Sequence, residues 1–218
     1  MLNRAPPELR NATLGDIPAI ANLIAISARS LGLHRYTAVQ MEAALHGTFG
    51  VDSQLVRDQT YYVVQAPSGE LAACDGWSRR RTLFGGDQRV DREPGELDPR
   101  TEAAKIRAFF VHPAYARQGL ASLVLAQCES AARKAGFDSL ELMATLTGVP
   151  FYAARGYQAG VAVNYEAMPG IHLELVPMAK SLSCPVTDVP CFCQIEMSCM
   201  DVQARSERLG QGSDASEI

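Results

Sequence analysis

The sequence shows no apolar segment in its first residues and no long hydrophobic run. Its first ten residues, MLNRAPPELR, contain no apolar segment of the kind found in signal peptides. The longest apolar stretch, Ile17–Ala28, is interrupted and too short to cross a bilayer. We therefore expect a cytoplasmic protein without a membrane partner.

Cysteine is scarce in residues 1–181, where it occurs only as Cys74 and Cys128 within periodic apolar segments. Both are expected to be small core residues, and no disulfide framework is expected there. The other four cysteines form a C-x6-C-x-C-x5-C pattern, which lacks the paired C-x2-C of common zinc sites. The shift in composition predicts a domain of residues 1–181 and a poorly ordered, acidic, Cys-containing tail of residues 182–218.

An excess of positive charge is also missing. The formal net charge is −4, and residues 182–218 account for it with six acidic residues and two arginines. Residues 1–181 are therefore electrically balanced, whereas a nucleic-acid binder carries a basic surface. We expect no nucleic-acid partner.

What remains is ordinary globular composition. The chain has 218 residues, 47% hydrophobic and 20% charged, which suffices for one sizeable core. Hydrophobic periodicity predicts alternating strands and helices, without an internal repeat. The predicted strands are Leu9–Ala12, Tyr61–Gln65, Leu71–Ser78, Ala104–His112, Ser139–Ala144 and Ile171–Met178. The predicted helices are Ile17–Ala28, Ala38–Leu45, Leu120–Ala135 and Val149–Arg155.

Two local features refine this pattern. The stretch Gly85–Pro99 is rich in Gly, Asp, Pro and Arg and predicts a surface loop. Pro177 lies within the last predicted strand, and because proline has no N–H to donate, it favours an edge or strand-end position.

The clearest chemical signal is a strand followed by a short loop and a helix. Ala104–His112 is apolar on both faces, as a strand in the middle of a sheet is, and Pro113 ends it. The loop Ala116–Ser122 then leads into the next helix. Unpaired N–H groups and about half a positive charge make a helix N-terminus suitable for a pyrophosphate. Small residues are common at helix starts, so the loop alone is weak evidence.

In this setting the loop resembles the acetyl-CoA motif of the GNAT superfamily of N-acetyltransferases, Gln/Arg-x-x-Gly-x-Gly/Ala. Gly119 and Ala121 match this motif, whereas Ala116 stands where the family has Gln or Arg. Phe151–Tyr157 looks like the family's Phe-Tyr-x-x-x-Gly-Phe segment, and Arg10–Asp16 looks like its opening strand and helix start. The resemblance extends from about residue 9 to residue 180.

The resemblance implies a GNAT fold of the α/β (α+β) class: a mixed, mostly antiparallel central sheet of about six to seven strands, flanked by about four helices, with a splayed central cleft. It implies acetyl-CoA (coenzyme A) as co-substrate, no metal, an amine acceptor and a possible homodimer. The pantetheine arm would pair with the strand at Phe110 and Val111, and the thioester would lie beside Val111. The implied cofactor-binding residues are Phe110, Val111, Ala116, Arg117, Gln118, Gly119, Leu120, Ala121 and Ser122.

Direct acetyl transfer requires a neutral amine and a proton for the leaving thiolate. An amine with a pKa near 10.4 is only about 0.04% neutral at pH 7, so its deprotonation costs about 4.6 kcal/mol. The resemblance assigns the general acid to Tyr152, and the alternative is that its ring only packs in the core. The base is left open among Asp75, Glu102, Glu141 and a water chain to backbone carbonyls. His112 precedes a proline at a strand end and is expected to be structural.

Two further features have open interpretations. Trp77 either lines an acceptor pocket or packs in the core. Arg79, Arg80 and Arg81 either attract an anion or form a solvated face, and the second interpretation is preferred.

Two functions follow from the sequence. The first is an enzyme that acetylates a primary amine of a small molecule or peptide. The second is a non-catalytic acyl-CoA-binding module of the same shape, which the departure at Ala116 and the missing obvious base favour. A tail that binds a partner or a metal ranks third.

Overall fold

The computed structural model of the chain describes residues 5–88, 93 and 95–182. The predicted tail lies outside the described residues apart from Leu182, so the boundary near residue 181 stays a prediction. Part of the predicted 85–99 loop also lies outside them.

The described residues form eight strands and five α-helices. The strands are β1 (Glu8–Asn11), β2 (Tyr61–Gln65), β3 (Leu71–Ser78), β4 (Ala104–Val111), β5 (Ser139–Thr145), β6 (Gln158–Ala159), β7 (Val163–Met168) and β8 (Ile171–Ser181). The helices are α1 (Ile17–Leu31), α2 (Ala38–Gly47), α3 (Ser53–Arg57), α4 (Leu120–Lys134) and α5 (Val149–Ala153). Each predicted element is present, with its ends unchanged or shifted by up to three residues.

The strands form one sheet in the order β1-β2-β3-β4-β5-β8-β6, and β7 also pairs with β8. β4 and β5 run parallel, whereas the other paired strands run antiparallel. The predicted fold class, a mixed and mostly antiparallel sheet flanked by helices, is confirmed. The short elements β6, β7 and α3 were not predicted, so the sheet is larger than expected.

The position of Pro177 differs from the prediction. β8 lies inside the sheet, between β5 on one side and β6 and β7 on the other. β7 pairs with β8 up to Leu175 and β6 begins to pair at Met178, so Pro177 faces the gap between them. The sheet accommodates the missing N–H by interrupting a neighbouring strand rather than by placing proline at an edge.

β4 contains an irregularity that separates it from β5. The register between the two strands covers Ala104↔Leu140 and Lys105↔Glu141, after which they diverge. On its other side, β4 shifts register against β3, and Ala108 has a φ of 58°, which is unusual for a residue with a Cβ. The buried Tyr61 hydroxyl donates a hydrogen bond of 3.1 Å to the Ala108 carbonyl. This contact stabilises the bulge, and the bulge directs β4 away from β5.

Helices cover both faces of the sheet. α4 packs on one face through apolar residues that include Val124 and Leu125, next to Phe137. α1 packs on the other face, where Ile20 and Leu23 are buried. The buried, free thiols of Cys74 and Cys128 lie in the core, as predicted.

α1 is longer than the apolar stretch recognised in the sequence. With the short 3-10 turns at its ends it forms a helical run, Leu14–His34, of 21 residues, long and apolar enough by length and composition to cross a membrane. Its inner face is buried against the sheet at Ile20, Leu23 and Ile24. A core helix satisfies the same criterion, so the length of this run carries little weight as evidence for a membrane partner.

Candidate functional site

A cavity of about 920 Å³ opens where β4 and β5 diverge. Residues 106–111 of β4 line one side, and residues 142–148 of β5 and the following turn line the other. The start of α4 and part of α5 complete this region of the wall. The separation of two parallel strands has therefore produced a cleft of the size of a cofactor site.

The 116–122 loop presents the N-terminus of α4 to this cavity. A 3-10 turn at Pro113–Tyr115 follows β4, after which Arg117 has a φ of 64° and Gly119 a φ of 83°. Gly119 is the N-cap of α4, and no side chain of the described residues caps the helix. A Cβ on Gly119 would meet nothing within 4 Å, so the space beside the loop backbone is open. Such a terminus offers backbone N–H groups to an anion.

The predicted cofactor residues converge on the cavity with two exceptions. The wall includes Phe110, Val111, Ala116, Arg117, Gly119, Ala121 and Ser122. Gln118 is exposed, and its side-chain amide donates to the Ala114 carbonyl at 3.1 Å. The Leu120 side chain is 7% exposed and packs in the core. The side chains of these two residues are not part of the cavity wall. A ligand in the cavity can therefore contact them only through their backbone.

Tyr152 lies in the cavity wall and also belongs to the core. Its ring is surrounded by those of Phe109, Phe151 and Tyr157, with centroids at 5.7, 5.2 and 5.4 Å. Within the described residues its hydroxyl makes no side-chain hydrogen bond. Burial raises the pKa of Tyr152 well above its usual value of 10, so the phenol keeps its proton and is a donor.

Arg155 is a site residue that the sequence analysis did not select. Its Nη2 donates to Ser122 Oγ, and its Nη1 donates to the Phe151 carbonyl at 3.2 Å. The guanidinium lies 3.9 Å from the centroid of the Phe151 ring, a cation–π distance. Together these contacts hold a half-buried positive charge beside the first turn of α4, in the cavity wall.

The sequence did contain a signal for Arg155. It follows Phe151 by four residues, the helical spacing that places one side chain above another. What the spacing does not show is the contact with Ser122, which lies 33 residues earlier in the chain.

Residues 95–182 match the family model described as an acetyltransferase (GNAT) domain. Within residues 95–182, the chain carries a GNAT acetyltransferase domain. The matched segment contains β4, the 116–122 loop, α4 and α5, which are the elements that build the donor side of the cavity. The family is one of acyltransferases.

Solved structures share the fold of this GNAT domain. A GCN5-related N-acetyltransferase from Rhodopseudomonas palustris is 19% identical, with a TM-score of 0.59, and the match covers 84% of this chain and 99% of that one. The PaiA N-acetyltransferase of Thermoplasma acidophilum, in complex with coenzyme A, is 12% identical, with a TM-score of 0.55, over 81% and 99% of the two chains. YncA, a putative acetyltransferase from Salmonella typhimurium with acetyl-CoA, is 16% identical, with a TM-score of 0.54, over 86% and 100%. Among curated proteins, none matches the chain.

The three candidate bases do not lie in the wall of the GNAT cavity. Asp75 is fully buried, its Oδ1 accepts from the Gly76 N–H at 2.9 Å, and burial raises its pKa well above 3.8. Glu102 accepts from the Asp98 N–H at 2.8 Å and from Arg81, and both hydrogen bonds lower its pKa.

Glu141 forms an ion pair with Lys105, and these two residues are also the last pair in register between β4 and β5. A strand pattern shows which residues alternate, but it does not show which side of a diverging pair faces the cleft. The sequence analysis placed these carboxylates near the cleft, and none of the three side chains lines the cavity wall.

The other residues singled out in the sequence make contacts within the fold and not with the donor loop. His112 Nδ1 accepts from the Ala114 N–H at 3.2 Å, and His112 Nε2 lies 3.5 Å from Glu70. Trp77 is buried and packs edge-on against Phe137, with centroids at 6.0 Å, so it belongs to the core. Arg79, Arg80 and Arg81 pair with Glu96, Asp58 and Glu102, as expected of a solvated charged face.

Proposed function

We propose that this protein is an N-acetyltransferase that moves the acetyl group of acetyl-CoA to a primary amine of a small molecule or peptide, by direct attack on the thioester. One observation carries the proposal. The uncapped N-terminus of α4, with Arg117 and Arg155 beside it, opens into the same cavity as Tyr152 and the side of β4 that has left β5.

The loop is suited to the diphosphate of coenzyme A. Backbone N–H groups of the first turn of α4 donate to the phosphate oxygens, and Arg117 supplies a positive charge. Arg155 supplies a second charge and takes over the role of the Gln or Arg that is replaced by Ala116. Since Ser122 Oγ accepts from Arg155, its own hydrogen is left to point toward a phosphate.

The diverging strand is suited to the pantetheine arm. Beyond Lys105, β4 no longer pairs with β5, so backbone groups near Phe110 and Val111 face the cavity. An extended, amide-bearing arm adds to a strand through the same hydrogen bonds that a neighbouring strand would make. This arrangement brings the thioester toward Val111 and Tyr152.

The chemical step then needs two proton transfers. The amine nitrogen forms a bond to the acetyl carbon, the C–S bond breaks, and the thiolate takes a proton from the Tyr152 hydroxyl, which is later restored from solvent. A buried site raises the pKa of a thiol as well as that of a phenol, so burial of Tyr152 does not by itself prevent this transfer. The amine loses its proton through water and backbone carbonyls of the cleft, because the three candidate carboxylates lie elsewhere.

Release of free thiol tests the proposal. The full chain is mixed with acetyl-CoA and a panel of primary amines, and free CoA is measured with a thiol reagent while CoA binding is measured by calorimetry. Amine-dependent release of CoA, with an N-acetylated product identified by mass spectrometry, is expected. Binding of CoA without release on any amine would instead identify a non-catalytic acyl-CoA-binding module.

A further inference from the structure

The cavity extends beyond the donor region to a second end. This end is formed by the last turns of α1 and the 3-10 turn after it, by α2, and by the segments around Phe49 and Phe84. None of these segments belongs to the 116–122 loop or to α5. An acceptor that attacks a thioester beside Val111 must occupy this end of the cavity.

The wall of the acceptor end is aromatic and fixed. The Phe49 ring meets that of Phe110 edge-on with centroids at 5.6 Å, and the Phe84 ring meets that of Tyr165 edge-on at 5.0 Å. Tyr36 is held by two hydrogen bonds, since its hydroxyl donates to the Glu174 carbonyl at 2.6 Å and accepts from the Leu146 N–H at 2.8 Å. A wall of held aromatic rings favours an acceptor with an apolar or aromatic body.

Among the Asp, Glu, His, Lys and Arg side chains of the described residues, those that line the cavity are all basic types: His34, Arg35, Arg107, Arg117 and Arg155. Arg117 and Arg155 lie at the donor loop. Arg107 is buried, with Nη2 at 2.7 Å from Asp52 and at 2.7 Å from the Gly85 carbonyl, so its charge is compensated inside the protein.

Arg35 remains as the cation of the acceptor end. It lies directly after the 3-10 turn Gly32–His34, where its backbone N–H donates to the Gly32 carbonyl at 3.1 Å. Its side chain is exposed and forms no ion pair with any other described residue. A guanidinium in this position binds a carboxylate in preference to an ammonium group.

The basic side chains of the cavity also affect the pKa of the acceptor amine. A nearby positive charge disfavours the ammonium form and lowers the pKa of a bound amine. The α-amino group of an amino acid is less basic than a lysine side chain, so a larger fraction of it is neutral at pH 7. The cavity therefore favours a weakly basic amine over a lysine side chain or a polyamine.

On the basis of the acetyltransferase function proposed above, we propose that the acceptor is a small amino-acid-like molecule. It carries a primary amine, a carboxylate that meets Arg35, and an apolar or aromatic body that lies against Phe49 and Phe84. The amine forms the amide bond as the thioester C–S bond breaks, and the products are the N-acetylated acid and free CoA.

A matched set of amines tests this proposal with the full chain. Phenylalanine and leucine represent the proposed class, phenylethylamine has the ring without the carboxylate, and spermidine and a lysine peptide are cationic amines. The value of kcat/KM from thiol release is expected to be about fivefold or more higher for phenylalanine or leucine than for the other three. A preference for spermidine, the lysine peptide or phenylethylamine would overturn the proposal and leave acetyltransfer intact. Failure of every amine to release thiol would overturn the acetyltransferase function, and this proposal with it.

A pair of variants tests the role of Arg35. The Arg35→Gln variant is expected to raise KM for phenylalanine about fivefold or more, while kcat, the KM for acetyl-CoA and the KM for phenylethylamine stay within about twofold. Arg100→Gln is the control, since Arg100 is an exposed arginine outside the cavity that pairs with Asp98 at 3.5 Å. An equal loss for phenylalanine and phenylethylamine would show that Arg35 acts on the fold and not on the carboxylate.

Discussion

At the scale of single residues, Tyr152 combines a core ring with a hydroxyl in the cavity wall. Replacement by phenylalanine keeps the ring contacts with Phe109 and Phe151 and removes only the donor. If Tyr152 protonates the thiolate, kcat is expected to fall about a hundredfold or more in the Tyr152→Phe variant, with the dissociation constant of CoA nearly unchanged. Steady-state kinetics and calorimetry measure the two quantities.

The neighbouring Tyr157 provides the control for Tyr152. Its ring lies in the same aromatic cluster, with centroids 5.4 Å apart, but it is not part of the cavity wall. Tyr157→Phe is expected to retain kcat within a few-fold. Equal turnover in the Tyr152→Phe variant and the wild type would limit Tyr152 to packing.

Arg155 allows a second prediction at this scale. Loss of its charge in Arg155→Gln removes a charge-assisted contact to the diphosphate, so KM for acetyl-CoA is expected to rise about tenfold with little change in kcat. Arg57→Gln is a matched control. Like Arg155, Arg57 donates to a serine hydroxyl, that of Ser53 at 2.9 Å, but it lies outside the cavity wall. If both variants behave alike, Arg155 has no special role at the donor loop.

At the scale of elements, the bulge in β4 determines where the cleft opens. The Tyr61 hydroxyl donates to the Ala108 carbonyl, and Tyr61 is fully buried. Tyr61→Phe is expected to lower the free energy of unfolding by about 1 kcal/mol, because the half-buried Ala108 carbonyl loses its hydroxyl donor and keeps only the Cys74 thiol at 3.6 Å. Urea denaturation measures this change, with Tyr62→Phe on the next position of β2 as the control. A larger loss in Tyr62→Phe than in Tyr61→Phe would contradict this account of the bulge.

Much of the element pattern was predictable because its signals are local. The strand β4, the break at Pro113 and the periodic helix α4 follow from spacing within about thirty residues, and they contain the donor loop. The elements β6, β7 and α3 escaped prediction because two to six residues, partly exposed, do not establish a period.

The site was only partly predictable for the opposite reason. Two features depend on how distant segments pack: the contact of Arg155 with Ser122, and the position of Asp75 outside the cavity wall. No spacing in the sequence encodes that packing directly, and the divergence of β4 from β5 is likewise a property of the assembled sheet.

At the scale of the whole molecule, Asp75 links folding to pH. Burial raises the pKa of Asp75 above its unfolded value of 3.8, so the folded chain binds this proton more tightly than the unfolded chain does. Its contribution to the free energy of unfolding is therefore fully present below about pH 4 and is lost as the pH rises toward the folded pKa. The loss is at most about 1.4 kcal/mol per pH unit.

The Asp75→Asn variant tests this linkage, since asparagine has the same shape and does not titrate. Relative to the wild type, the variant is expected to gain stability as the pH rises from 4 to 8. Urea midpoints at several pH values measure the difference. A difference between the two proteins that is constant across this range would show that Asp75 does not hold its proton in the folded state.

The divergence of β4 and β5 has a consequence for the protein before any cofactor binds. Two parallel strands that separate create two sheet edges, and such edges normally invite pairing with another chain. Here the two edges face each other across the cavity between β4 and β5. A bound pantetheine arm would act as the missing strand between them, and amide hydrogen exchange in residues 106–111 should slow when acetyl-CoA is added.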